Sequence, residues 1–197
     1  ICGSDVHYYA EGRIGRYVVE QPMILGHACA GMVVELGSGV TRVKVGDRVA
    51  VEPGETCGMC EYCKGGRYNL CPSVKFLATP PYDGSFCEFI SMRQDLLFPL
   101  PPEMSYDAGA AMEPLSVGIQ ACLRAHVAPG DGVVITGAGP IGLMTIVAAQ
   151  SFGAYPIVIL DQEELRLDVA AKLGATATLN IKDPDHAERA REVLGDG

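Results

Sequence analysis

The order of apolar and polar positions divides the chain into two textures. Up to residue 127 the apolar, β-branched runs are short and broken by turn residues. Val18 to Leu25 and Ala30 to Leu36 read as strands, Gly37-Ser38-Gly39 as a turn, and Val43 to Val51 as two strands joined at Gly46-Asp47. Strand-like material returns over 84–98, led by Gly84 to Ile90, and Pro99, Pro101 and Pro102 close it. From Ser105, a candidate N-cap, the pattern turns helical, with a second helix expected over 114–125. Beyond the turn-forming stretch Val127 to Gly132 the texture changes. Val133 to Thr136 is a buried-type strand, 140–153 a helix apolar nearly all round, and Pro156 to Leu160 a strand ending at Asp161. An amphipathic helix over 163–173 stops at Gly174, and Ala177 to Ile181 is a third strand. Strand–helix–strand–helix–strand opens a parallel, doubly wound sheet. The reading is α/β: a β-rich domain over 1–127, then a nucleotide-binding domain over 128–197. No internal repeat or low-complexity segment interrupts either.

Composition narrows the function classes. The chain has 197 residues, 48% of them hydrophobic and 20% charged, in the ordinary globular range. No run of eighteen apolar residues exists, which argues against a membrane-spanning helix and a membrane partner. Fifteen Lys and Arg against 24 Asp and Glu give a net charge of −9, a poor match to nucleic-acid phosphates. The chain opens on Ile1 with no signal-peptide pattern, and the motif-like string Cys2-Gly3-Ser4-Asp5 begins at once. The ending Leu194-Gly195-Asp196-Gly197 follows a charged stretch over 182–192. The expectation is a cytoplasmic protein of which this is a fragment lacking both termini.

Gly137-Ala138-Gly139-Pro140-Ile141-Gly142 is a G-x-G-x-x-G string in the context that gives it meaning. It follows a predicted strand and opens a predicted helix, and Asp161 stands nineteen positions after Gly142 at the end of the next strand. The first glycine permits the turn, the second lets backbone approach a pyrophosphate, and the third lets helix pack on strand. The helix N-terminus offers unpaired N–H groups to phosphates. Asp161 would accept from the ribose hydroxyls and repel a 2′-phosphate, which favours NAD over NADP. A glycine-rich turn with Asp161 as a helix N-cap is the alternative. Arg166 would bind a 2′-phosphate, stack near the adenine, or simply face solvent.

Eight cysteines stand at 2, 29, 57, 60, 63, 71, 87 and 122. Four of them form C-x2-C-x2-C-x7-C, and Gly58, Gly65 and Gly66 let the loop wrap an ion. Cys57, Cys60, Cys63 and Cys71 suit a tetrahedral, structural zinc with no open position. An iron–sulfur cluster or two disulfides are the alternatives. Cys2, His27 and Glu113, taken singly, are unremarkable as ligands.

Several strings together resemble one family. Cys2-Gly3-Ser4-Asp5-Val6-His7-Tyr8-Tyr9, Gly12-Arg13-Ile14-Gly15 and Leu25-Gly26-His27 are three of them. Val45-Gly46-Asp47-Arg48-Val49, the four-cysteine loop, Ala78 to Gly84 and Glu113-Pro114-Leu115-Ser116-Val117 are the rest. In order and across the whole chain they resemble the zinc-dependent medium-chain alcohol dehydrogenases, nearest the polyol (sorbitol, xylitol, arabinitol) branch. The resemblance implies a GroES-like catalytic domain followed by a truncated Rossmann domain, with zinc and NAD as cofactors. It implies oxidation of a polyol by zinc Lewis acidity and hydride transfer to NAD. Cys2, His27 and Glu113 would hold the catalytic zinc, and Ser4 and His7 would carry the alcohol proton outward. Tyr8, with Glu113, would line the polyol pocket. Gly137, Gly139, Ile141, Gly142, Asp161 and Arg166 would contact the cofactor. A homotetramer is the family's common assembly.

One position departs from the pattern. The polyol branch usually reads Gly-His-Glu, and here the string is Gly26-His27-Ala28. Either Glu113 becomes the third ligand, or water fills the gap, or zinc binds weakly. Two alternatives to the polyol reading remain: a 2,3-butanediol or threonine dehydrogenase of the same family, and a non-catalytic NAD-binding relative.

Overall fold

Cys2 begins a helix that the strand-dominated reading of the first hundred residues does not contain. Helix α1 (Gly3–Glu11) starts where the Asp5 carboxylate turns back to accept the Cys2 N–H at 2.8 Å. It ends at Gly12, whose left-handed φ of 69° lets its N–H reach the Tyr8 carbonyl. Gly3, Val6, Tyr8 and Tyr9 are weak helix formers, so burial of Asp5 and Tyr8 overrides local preference here. The computed structural model describes residues 1–195, and Asp196 and Gly197, at the end of the expected second domain, lie outside the described residues.

The chain divides into two compact units, residues 1–113 and a second beginning at Pro114. The boundary expected near 127 lies after the helix that crosses this division rather than in its first turn.

In the first unit, β1 (Arg13–Ile14) and β2 (Tyr17–Val18) make a two-stranded hairpin after α1. Of the strand expected over 18–25 only Val18 is in a ladder. Pro22, which has no N–H to donate, follows, and residues 24–26 accept irregular bonds from the N–H groups of Gly84, Ser85 and Phe86. The strand expected from Gly84 to Ile90 is therefore replaced by this short loop-to-loop pairing. Strand β3 (Ala30–Met32) is shorter than the run to Leu36 suggests, and β4 (Arg48–Val51) takes only the second half of 43–51. Then come β5 (Gly54–Glu55), a one-turn helix α2 (Glu61–Lys64), β6 (Lys75–Phe76) and β7 (Leu97–Pro99). β3, β4 and β7 form an antiparallel sheet in that order, and β5 pairs with β6. Val33, Val43 and Val49 make its small core with Val40 and Leu97. Ser105 caps α3 (Tyr106–Ala110), its Oγ accepting the Ala108 N–H at 3.1 Å, as the sequence predicts.

The second unit follows its sequence pattern closely. Helix α4 (Met112–Arg124) leads to β8 (Val133–Thr136), α5 (Pro140–Ser151), β9 (Ile157–Asp161), α6 (Glu164–Lys172), β10 (Ala177–Asn180) and α7 (His186–Leu194). The three strands are parallel in the order β10-β9-β8, with Val134 beside Val158 and Val158 beside Ala177. Ile135, Ile146, Ile157, Ile159 and Leu167 fill one face. On the other, Val158 and Leu179 meet Ala190, Val193 and Leu194 of α7. That helix occupies the stretch read from sequence only as charged. α4 touches α5 at Gly118, where an added Cβ would lie 2.9 Å from the Met144 backbone. No helix among the described residues is long and apolar enough to cross a membrane.

Candidate functional site

The four-cysteine loop closes on itself. The Sγ atoms of Cys57, Cys60, Cys63 and Cys71 all lie within 4.8 Å of one another. Cys60 Sγ is 3.4 Å and Cys57 Sγ 3.9 Å from Cys63 Sγ. A zinc tetrahedron with Zn–S bonds of about 2.3 Å has edges of about 3.8 Å, so the cage fits that ion with little adjustment. All eight cysteines are free thiols, which removes the two-disulfide alternative. Backbone groups prepare the sulfurs for charge. Met59 and Cys60 donate N–H to Cys57, Cys63 donates to Cys60, and Cys57 donates to Cys71. The Met59 and Cys60 donors pull the Cys57 thiol down to about 6. Cys60→Ser should cost one equivalent of bound zinc per chain and lower the melting temperature by about 5 °C or more. Metal analysis with a thermal melt checks this, and unchanged zinc content would contradict the cage.

The second set of expected ligands is arranged around a residue that sequence reasoning passed over. Asp5, only 4% exposed, accepts the Cys2 N–H through Oδ2 and the Gly26 N–H, at 2.9 Å, through Oδ1. The same Oδ1 lies 3.8 Å from His27 Nδ1. Asp5 therefore ties Cys2 to the strand-like segment carrying His27 and draws the ring's Nδ1 edge toward itself, the carboxylate–imidazole pairing common behind metal ligands. Its spacing from Cys2, three positions into a helix, is the one sequence signal that points to it. His27 is buried, with its ring tilted over Phe76 at 5.6 Å. Burial raises the Glu113 carboxyl above its usual range, with the His27 charge opposing and the Glu52 charge adding to the effect. Glu52, which follows β4, is likewise raised by burial against the Gly54 N–H. A half-buried pair of carboxylates beside an imidazole is a donor set suited to zinc. Among the described residues, though, the four-cysteine cage is the one group of three or more His, Cys, Asp or Glu with ligand atoms within 4.8 Å. Cys2, His27 and Glu113 thus stand as neighbours of Asp5 or of each other rather than as a closed tripod. Ala28 adds no donor.

Ser4, His7 and Tyr8 ride on α1. Tyr8 is buried, and its phenol is raised by burial, lowered by a hydrogen bond with Thr79 and raised by Tyr17. That bond brings the Ala78 to Gly84 string onto α1. His7 is exposed, with Nε2 3.1 Å from Glu11 Oε2.

In the second unit the glycine string lies between β8 and α5 as expected. Gly137 has φ of 91°, and Gly139 is the N-cap of α5 with Pro140 at the first turn. A Cβ on Gly139 would meet nothing within 4 Å, so open space lies before the helix's unpaired N–H groups, a cradle that fits a pyrophosphate. Ile141 is part-exposed at the same turn. Asp161 closes β9. Its Oδ2 accepts the Ala138 N–H at 2.7 Å, and its Oδ1 accepts from Gln162 at 2.8 Å and Glu163 at 2.9 Å. Arg166 Nη1 lies 3.9 Å from Oδ2 on the solvent side. Burial pushes the Asp161 carboxyl up, but the Glu163, Ala138 and Gln162 donors and then Arg166 outweigh it and hold the carboxyl below its usual value. The stability it lends is present above its unfolded pKa and is lost as pH falls through the lowered folded value. Asp161 is therefore not the N-cap of α6, which is Glu163; its carboxylate ties the glycine turn to the residues leading into that helix.

Residues 1–102 match the alcohol dehydrogenase GroES-like domain, and residues 140–197 match the zinc-binding dehydrogenase family. The chain belongs to the zinc-binding alcohol dehydrogenases. The β-rich first unit and parallel second unit are this family's GroES-like and Rossmann-type parts. A sorbitol dehydrogenase of Bacillus subtilis (strain 168) is 56% identical over all of this chain and 56% of its own length. A probable D-xylulose reductase A of Emericella nidulans is 46% identical over all of this chain and 55% of its own. A solved Escherichia coli oxidoreductase/dehydrogenase of unknown specificity superposes with a TM-score of 0.89 at 43% identity, covering 96% of this chain and 55% of that one. The chain spans about half the length of the curated relatives it matches.

Proposed function

We propose that the chain carries the metal and cofactor sites of a zinc- and NAD-dependent polyol dehydrogenase, which converts a sorbitol-like polyol to its ketose. The observation that carries this is identity of 46% or more, across the whole chain, to relatives named for sorbitol and D-xylulose chemistry. When bound, zinc supplies Lewis acidity to the alcohol and NAD accepts the hydride. Cys2, His27 and Glu113 hold the catalytic ion, and Asp5 fixes the first two. Cys57, Cys60, Cys63 and Cys71 hold the structural ion. Tyr8, with Glu113, borders the polyol, Ser4 takes the proton leaving the substrate hydroxyl, and His7 passes it toward solvent. Gly137, Gly139 and Ile141 admit the pyrophosphate at the turn that Gly142 keeps close-packed, and Asp161 beside Arg166 receives the ribose. A homotetramer in the cytoplasm is the assembly and location this reading expects.

Ala28 and the unconverged ligand atoms favour a second reading, a non-catalytic NAD-binding relative. Zinc content separates the two: two equivalents per chain support the enzyme and one supports the relative. Turnover of a polyol panel against 2,3-butanediol and threonine, followed as NADH, then tests the substrate class. Ala28→Glu should tighten the second zinc by about tenfold, the scale on which carboxylates at or beside a metal act. Chelator competition reads this directly, and an unchanged affinity would place position 28 away from the ion.

Asp161→Ser should weaken NAD by about tenfold and narrow the preference over NADP, because both the ribose acceptor and the charge repelling a 2′-phosphate go. The Ala138 N–H, fully buried, loses its acceptor at the same time, so a stability loss of about 1–3 kcal/mol accompanies it. Cofactor titrations with a urea melt measure both, and a wild-type preference for NADP would overturn the assignment.

A further inference from the structure

Ser4, His7 and Glu11 stand at positions i, i+3 and i+7 of α1 and so share one face of the helix. Burial falls along this stripe. Ser4 is half-buried, the His7 side chain is 53% accessible and that of Glu11 62%. At the outer end, His7 Nε2 lies 3.1 Å from Glu11 Oε2. An ionised carboxylate only accepts, so the ring nitrogen facing it carries the hydrogen, and in the neutral ring Nδ1 is left with the lone pair.

We propose that Glu11 is a positioning residue for proton release, holding neutral His7 as its Nε2–H tautomer so that Nδ1 receives the proton coming from Ser4. This rests on the proposed relay role of Ser4 and His7. A proton arriving at Nδ1 makes the ring an imidazolium. The Nε2 proton then leaves to water past the Glu11 carboxylate, and exchange with water removes the Nδ1 proton and returns one to Nε2, so the starting tautomer is restored with one proton released, no electron transferred and no further reactant. The other charged groups near this face do not compete for the ring. On β1, packed against α1, Arg13 turns its guanidinium onto the Gly15 carbonyl at 2.6 and 3.2 Å. Asp5, on α1 itself, is committed to Cys2 and Gly26. The pair is exposed, so its effect is small in energy and large only in which nitrogen is free.

Long-range proton–nitrogen NMR of the 15N-labelled chain tests this, with His7→Asn identifying the His7 signals among the four histidines. Glu11→Leu should raise the Nδ1–H tautomer about twofold. Glu11→Gln keeps an acceptor without charge, so it should retain the tautomer. In the full-length holoenzyme, Glu11→Leu should lower kcat by about the same factor with KM unchanged. An identical tautomer ratio in wild type and Glu11→Leu overturns the positioning role. If the NMR changes but His7→Asn leaves kcat where it was, the relay role of His7 fails and Glu11 loses its part in the reaction with it.

Discussion

Gly142→Ala is expected to unfold the second unit or to leave it about 3 kcal/mol or more less stable. A Cβ at this position would lie 1.8 Å from the Gly137 carbonyl oxygen and 3.5 Å from Ile135. The atom in the way is backbone, so no side chain can turn aside. The helix α5 would have to lift off β8, taking Ile146, Ala148 and Ala149 out of a core in which they are essentially inaccessible. Gly139→Ala is the matched control. Nothing lies within 4 Å of its Cβ, so the fold should persist while NAD affinity falls. Urea melts with NAD titrations on both variants distinguish a packing glycine from a ligand-facing one. A Gly142→Ala melt within about 0.5 kcal/mol of wild type would show that α5 is not seated as described.

Asp5→Ala should cost about 2–4 kcal/mol in the first unit and release one zinc equivalent. Two backbone donors, Cys2 and Gly26, lose their acceptor, and each orphaned group in a poorly solvated place costs about 1–3 kcal/mol. The N-terminal turn of α1 and the segment before His27 would then no longer be held together. Asp5→Asn keeps one accepting oxygen and should fall between. Zinc content with thermal melts reads both effects. Loss of stability with both zinc equivalents retained would show that Asp5 supports the fold without organising Cys2 and His27.

The second unit is legible in sequence because each element there carries its own signal. Val133 to Thr136 and Ile157 to Asp161 are continuous apolar strands, and the glycine string and Gly174 mark helix ends. Only α7 escapes, since its single buried residue, Ala190, lies among charged neighbours. The first unit resists reading for the opposite reason. Its strands are two to four residues long, too short for a period of two to emerge, and its pairing is fixed by distant partners such as Gly84 against Ile24. The metal cage was legible because its ligands are local. Asp5 was not, because its importance comes from Gly26, which the chain reaches only twenty-one residues later.

The order β10-β9-β8 leaves β8 with no strand on its outer side among the described residues. Val134, in the middle of β8, is 45% exposed. A strand flanked on one side only is a place where extended backbone can be added, because a ladder is built from N–H and C=O groups and not from side-chain identity.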